Sequence, residues 1–496
     1  MRCMDTPLDK RKLITPKDRE EVLCNSGEEA YEELIIRYDN AVSFLREHFA
    51  QATSNSVKGK RYRACYPEII LISHTFGAPD SRLSYGHVSA PGIYSTTVSK
   101  PRLFKKYLIE QINLLIENHN VPVFIGTSST PIAINFTLDH DEDILTNCTQ
   151  LDFTLRDVFD TPDLNLIHDD IVNGTGFNNE DGSHPLALFT APRVDYSLAR
   201  IQHYTATRAE HFQKFVLITN YQLYVDKFEE FARKMLADPN SGYNSFVTAG
   251  NHCIQRHQEK INWPGRMPQM PACHLTRANG DGISLINIGV GPSNAKTATD
   301  HVAVLRPSAW IMLGHCAGLR NSQSLGDYVL AHAYLREDQV LDEDLPAWVP
   351  VPALAEIQIA IENAVAVITE QKGFELKKVM RTGTVVSVDN RNWELGLNSG
   401  IAKRLSQSRA IGLDMESATV AANGFRFRVP YGALLCVSDK PLHGVLKLPR
   451  MANDFFDTQI NNHLAIGILA MASLREKPLE FLHSRKLRSF EETAFL

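Results

Sequence analysis

The sequence predicts an α/β fold, with a C-terminal domain of helices covering a buried sheet and an α+β region before it. Three observations predict it. From about Ile201 onward, apolar strand-like runs alternate with segments of helical period, the pattern of an α/β layer structure. The first third mixes both element types, led by one long amphipathic segment. The chain has 496 residues, 44% hydrophobic and 22% charged, a globular composition at a length that implies two or more domains.

Taken in order, the first element is a helix over 28–51. Tyr31, Leu34, Ile35, Tyr38, Val42, Leu45 and Phe49 recur at helical spacing, and Ser26 with Glu29 forms a capping box at its start. A buried strand follows over 68–73, a helix over 103–118 and a strand over 121–125. Between Asp139 and Asp195 the chain turns polar, and NNEDGSH at 178–184 reads as a loop. This places a boundary near 195, giving domains 1–195 and 196–496. The second domain reads as strand 283–288, helix 295–305, strand 309–313, helix 354–371, strand 384–388, helix 416–423, strand 433–437 and a last helix over 458–474.

Composition excludes several functions. A net charge of −6 gives no broad attraction to nucleic acid. The eight cysteines, Cys3, Cys24, Cys65, Cys148, Cys253, Cys273, Cys316 and Cys436, form no CxxC pair, so reduced thiols are expected and a zinc site is not. The N-terminus lacks the apolar core of a signal peptide, and the longest apolar runs, such as Ala465 to Ala472, are far too short for a bilayer span. A cytoplasmic protein is expected.

The loop ISLINIGVGPSNAKT at 283–297 runs from a strand into a helix. It is not a dinucleotide fingerprint, because position 294 is Asn and the next strand, Trp310 to Leu313, ends in no acid. It is not a Walker A loop, because Gly291 stands one residue too close to Lys296-Thr297. What remains is a small anion or ribose loop using backbone N–H groups at a helix start, or a tight turn with no ligand.

Two carboxylates stand out in 411–448. Glu416 begins a helix behind Met415, and Asp439 follows the strand Ala433–Val437, at the carboxyl end where ligands bind in open α/β sheets. A carboxylic acid there suits protonation of a purine leaving group, and a second carboxylate suits ribose hydroxyls and an oxocarbenium-like transition state. The alternatives are an ion pair of Asp439 with Lys440 or Lys447, and a helix N-terminus complemented by Glu416.

DMESATVA (414–421), VSDK (437–440) and RTGTVVSVDNRNWE (381–394) resemble signatures of the nucleoside phosphorylase/nucleosidase superfamily. IGVGPSNAKT (288–297) and LGHCAGLRNSQ (313–323), with YSTTVSKPRLFKKYL (94–108), resemble the AMP nucleosidase family more narrowly. The resemblance covers most of the chain. It implies a nucleoside-phosphorylase-like catalytic domain with a central mixed sheet flanked by helices, and an N-terminal α+β regulatory domain. It implies hydrolysis of AMP to adenine and ribose 5-phosphate, in purine salvage and control of the adenylate pool.

The resemblance also implies roles for individual residues. Asp439 would be the general acid at N7. Glu416 and Met415 would hold the ribose. Ser387 and Asp389 would lie along the base. The superfamily often has an aromatic ring near position 391, where this chain has Arg391. Trp393 or the Arg391 guanidinium plane would then stack on the base, core packing being the other reading of Trp393. Phosphorolytic relatives carry Arg and Ser where this chain has Met312 and His315, which argues for water as nucleophile. The anion-binding groups would then serve the 5′-phosphate: Asn294, Lys296, Arg320 and Asn321, with Gly291 of the glycine loop also among the substrate-binding residues. For Lys296 and Arg320, surface solvation is the other reading. His203 resembles a histidine that some hexameric relatives lend to a neighbouring subunit, or is a plain surface or core residue.

The chemistry requires no metal or redox cofactor. The resemblance further implies MgATP as activator, phosphate as inhibitor and a homohexamer. Rival readings are a purine nucleoside phosphorylase, a nucleotide-sensing protein without catalysis, and a GMP or IMP nucleosidase.

Overall fold

A computed structural model describes residues 11–54, 59–76, 85–138, 154–176, 182–255, 263–446, 453–482, 487–489 and 492–496. The expected loop at 178–184 is described only from Gly182, and Cys3, Cys148 and Lys447 lie outside the described residues. Contacts divide the chain into Met1–Ala199 with Ser489–Leu496, and Arg200–Arg488.

The first unit holds a five-stranded sheet of Val22–Cys24 (β1), Cys65–Ser73 (β2), Gly92–Thr97 (β3), Val123–Pro131 (β4) and His184–Pro185 (β5), in the order β1-β4-β2-β3-β5. The long helix is Gly27–Ser54 (α1). Ser26 Oγ accepts from the Glu29 N–H, and a Glu29 carboxylate oxygen accepts from the Asn25 N–H. The box thus closes one residue earlier than the ideal pattern. Tyr38, Val42, Leu45 and Phe49 of α1 pack in one cluster with Tyr62, Tyr66 and Phe159. The second helix is Lys105–His119 (α2). The chain around 195 is helical, Ala191–Thr205 (α3), and Asp195 is buried, accepting from Tyr66 OH at 2.6 Å and Ser99 Oγ at 2.5 Å. The C-terminal tail belongs to this unit, with the Leu496 N–H donating to Gln111 Oε1 at 2.8 Å.

The second unit is built on a ten-stranded mixed sheet. Its strands are Phe215–Thr219 (β6), Ser245–Thr248 (β7), His252–Gln255 (β8), Ala272–Thr276 (β9), Ile283–Asn287 (β10), Ala309–Gly318 (β11), Tyr328–Glu337 (β12), Met380–Val388 (β13), Gly412–Asp414 (β14) and Tyr431–Asp439 (β15). The order is β8-β7-β9-β10-β6-β11-β14-β13-β12-β15, and β11 also pairs with β15. That extra pairing closes β11, β14, β13, β12 and β15 into a ring. The strands β6, β10, β11 and β15 run parallel across the sheet centre.

Helices Gln222–Ala237 (α4), Pro292–Val302 (α5), Ala355–Thr369 (α6), Ser417–Arg426 (α7) and Asn453–Arg475 (α8) belong to the same unit. Every element expected in this unit is present, with ends moved by a few residues. The sequence reading lacked β6, β7, β8, β9, β12, β14 and α4. β6 is five buried residues, FVLIT, too short for periodicity to separate strand from buried helix. Among the described residues no helix is long and apolar enough to cross a membrane.

One close approach locks α7 onto β15. A Cβ on Gly424 would lie 2.5 Å from Tyr431 Cδ1. Tyr431 is 1% exposed and its hydroxyl donates to Pro352 O at 2.6 Å, so the ring has nowhere to go. Gly→Ala within a helix ordinarily stabilises by about 0.5–1 kcal/mol, whereas overpacking costs about 1–3 kcal/mol. Gly424→Ala is therefore expected to be net destabilising in urea unfolding. A more stable variant would show that the Tyr431 ring yields.

Candidate active site

The site is assembled from turns at the carboxyl ends of strands. The chain leaves β6 at Asn220, leaves β10 into the glycine loop, leaves β14 at Asp414 and leaves β15 at Asp439. Gly291 caps α5 with φ +116°, a conformation open to glycine and strained for other residues. Its N–H donates to Glu416 Oε1 at 2.6 Å, and Asn220 Nδ2 donates to Glu416 Oε2 at 3.0 Å. The glycine loop therefore aims its N–H at a carboxylate of the protein itself. Glu416 is 1% exposed, so these two donors replace water around a charge that burial penalises.

Below Glu416 lies a second buried carboxylate. Asp414 accepts from Ser387 Oγ at 2.5 Å and from the Ser417 N–H at 2.8 Å, and Ser387 Oγ also accepts from the Ala418 N–H at 2.9 Å. Asp414, not Glu416, thus caps the start of α7. The helix N-terminus that Glu416 complements is that of α5, because its carboxylate reaches across to the Gly291 N–H. Burial pushes the Glu416 carboxyl well above the ordinary carboxylate range, and the Asp414 charge pushes it further. Burial also raises Asp414, against the Ser387 and Ser417 hydrogen bonds that lower it.

Asp439 stands on the other side of β11. Ala317 is paired with Leu413 of β14 and with Asp439 of β15. The two acid-bearing turns therefore flank β11 at Ala317. Ser438 Oγ donates to Asp439 Oδ1 at 2.7 Å. Lys440 Nζ donates to Gln323 O at 2.7 Å and Asn321 O at 3.2 Å, so its ammonium serves the loop after β11. Cys316 is buried in this region. Burial pushes its thiol well up, and Cys436, Asp414 and Asp439 add to the effect.

The other expected residues divide into three groups. Met415 is half-buried beside Glu416. Arg320 follows β11 in the same loop as Asn321. Its backbone N–H donates to Gln323 Oε1, and among the described residues nothing takes up its guanidinium. Asn321 is exposed. These positions fit a polar ligand at the strand ends.

Three of the expected residues are already engaged by the protein. Ser387 is fully buried and its hydroxyl is spent on Asp414, so it supports the acid pair from beneath. Trp393 is 4% exposed, packed with Val386, Val388, Ile401 and Leu413, so its ring serves the core. Lys296 is drawn onto Asp300 at 2.8 Å and Asp344 at 3.1 Å, carboxylates that also pair with the buried Arg426, so its charge is compensated inside the protein.

Asp389 and Arg391 lie exposed on the loop after β13, and His203 is exposed on α3 with its ring against Tyr204. Asn294 folds back, its Nδ2 donating to Val290 O at 3.3 Å. Sequence reasoning missed Asn220 and Asp414. Asn220 directly follows FVLIT, and strand identity alone would have drawn attention to it.

Residues 29–183 match the family described as bacterial AMP nucleoside phosphorylase N-terminus, and residues 271–471 match the phosphorylase superfamily. The chain is 45% identical over 481 residues to an AMP nucleosidase of Escherichia coli (strain K12), covering 94% of this chain and 98% of that protein, and equally to one of Escherichia coli O157:H7. Among solved structures, the AMP nucleosidase of Bacteroides thetaiotaomicron is 29% identical with a TM-score of 0.43, covering 57% of this chain and 98% of that one. A purine nucleoside phosphorylase of Toxoplasma gondii in complex with immucillin-H is 18% identical with a TM-score of 0.41, covering 55% of this chain and 97% of that one.

The raised carboxyls have a consequence for stability. A carboxyl whose folded pKa exceeds its unfolded value, about 4, contributes stability that is full below that value and is lost as pH rises through the folded pKa. Glu416→Gln cannot ionise at that position. The difference in unfolding free energy between variant and wild type should therefore move in favour of the variant between pH 5 and pH 8, read from urea curves. Parallel profiles would mean that the pair carries no retained proton.

Proposed function

This chain belongs to the AMP nucleosidase family of N-glycosyl hydrolases, and we propose that it cleaves AMP with water to give adenine and ribose 5-phosphate. The observation that carries the reading is the pair of acid-bearing turns on either side of Ala317, one holding the buried Glu416 and the other Asp439.

In this mechanism Asp439 gives a proton to N7 as the C1′–N9 bond stretches, so that adenine leaves neutral. Glu416, held by Asn220 and Gly291, faces the ribose hydroxyls and stabilises positive charge developing at C1′. Water supplies hydroxide to C1′, and its proton replaces the one given by Asp439. No atom from a cofactor is needed to balance the step. Water as nucleophile is supported by Met312 and His315 on β11, neither of which offers the Arg and Ser of phosphorolytic relatives. Arg320 remains the best ligand for the 5′-phosphate, because its guanidinium is uncommitted among the described residues. The same reading proposes MgATP as activator, phosphate as inhibitor, a homohexamer, and a place in purine salvage and adenylate control.

Asp439→Asn should lower kcat on AMP by about 100-fold or more with little change in KM, measured by adenine release. Near-normal turnover in the folded variant would remove Asp439 from the mechanism. Wild-type enzyme incubated with AMP, adenosine, GMP and IMP, with and without MgATP, should release adenine and ribose 5-phosphate from AMP without added phosphate. Release that requires phosphate and yields a sugar 1-phosphate would replace hydrolysis by phosphorolysis.

A further inference from the structure

We propose that His315 holds the attacking water and takes its proton as the oxygen bonds to C1′. The inference deepens the hydrolytic reading given above and rests on it.

The pairing of β11 leaves the place for such a group. One edge of β11 is paired with β15 over Trp310–Ala317. The other edge is paired with β6 over Ala309–Leu313 and with β14 at Ala317 and Gly318. Among the described strands, Gly314, His315 and Cys316 therefore face a gap between the ends of β6 and β14. Glu416 spans that gap. It follows β14, and its carboxylate accepts from Asn220, which follows β6. A Cβ on Gly314 would lie 3.7 Å from Asn220 Oδ1, so the Asn220 amide sits over the floor of the gap. Along β11 every residue is buried except His315.

Of the three residues at the gap, one suits a base. Gly314 has no side chain. Cys316 is buried with its thiol pushed well up, so it offers no thiolate. An imidazole titrates near neutrality and accepts a proton from water through its unprotonated nitrogen. The ring is also held in place. Tyr221 stands at 5.9 Å and 88° to it, and Tyr224 at 5.8 Å and 57°, so two tyrosines fix its plane. Tyr224 is fixed in turn. His463 Nε2 donates to Leu434 O at 2.9 Å, which leaves His463 Nδ1 to accept from the Tyr224 hydroxyl at 2.7 Å. Burial pushes His463 down to about 3, so it stays neutral and the Tyr224 hydroxyl is spent on it.

The nucleophile must reach C1′ from the side opposite the departing N9. Asp439, which serves N7, lies on the β15 edge of β11. His315 stands at the gap on the opposite edge, with the sugar held by Glu416 between them. The water oxygen gives a lone pair to C1′, and the C1′–N9 pair passes to adenine. Asp439 gives its proton to N7, and His315 takes one from the water. After the products leave, the imidazolium returns that proton through solvent to Asp439, so each cycle consumes one water.

The test measures products from AMP in water and in methanol–water mixtures, for wild type, His315→Ala and His315→Gln. His315→Ala should lower kcat by about 100-fold and change KM by less than about twofold. Added imidazole should restore part of the loss. In mixed solvent the wild type should yield chiefly ribose 5-phosphate, because a held water excludes methanol. In His315→Ala the methyl riboside 5-phosphate should rise toward the mole ratio of the mixture, a change that a merely structural residue would not produce. His315→Gln keeps an acceptor and should fall between the two in both readouts. Wild-type kcat and partition in His315→Ala, or in His315→Gln if the alanine variant does not fold, would overturn the assignment. A low kcat with unchanged partition and no imidazole rescue would overturn it as well, leaving His315 a structural residue. Absence of adenine release by the wild type would instead sink the hydrolytic reading, and this inference with it.

Discussion

The second unit is organised around a carboxylate that has been taken out of water and, among the described residues, given no cation. Glu416 is solvated instead by the Gly291 N–H and by Asn220, and it sits above a second buried acid, Asp414. Burial of a charge without a counter-ion is costly unless donors surround it or a proton stays on. Gly291 and Asn220 supply the donors, and burial with the Asp414 charge raises the Glu416 carboxyl. The arrangement explains why three separate chain turns, after β6, β10 and β14, must meet at one place.

That meeting depends on β11. It pairs with β6, β14 and β15, and its partner β15 closes the ring of five strands. Ala317 then stands between the two acid-bearing turns. A shift in register along β11 would move Asp439 relative to Glu416, so the spacing of the two acids is a property of strand pairing and not of any local motif. Beneath them, Ser387 and the start of α7 satisfy Asp414, which fixes the backbone from which Glu416 projects.

Buried charge is handled in two ways. Glu416 and Asp414 of the second unit, and Asp195 of the first, are buried acids given neutral donors. Asp160 of the first unit is instead given two arginines, Arg61 and Arg63.

The sequence by itself determined the alternation of strands and helices, the long capped helix of the first unit and the identity of the two carboxylates at strand ends. Those follow from periodicity and from residue types at element boundaries, which are local. It did not reveal FVLIT as a strand, since five apolar residues carry no period, and so it missed Asn220. It could not show that Lys296 is neutralised by Asp300 and Asp344, that Trp393 fills the core, or that Ser387 serves Asp414. Each of those depends on which side chains distant in sequence are brought within hydrogen-bonding or packing distance, and that was decided only when β11, β14 and β15 paired and the helices closed over them.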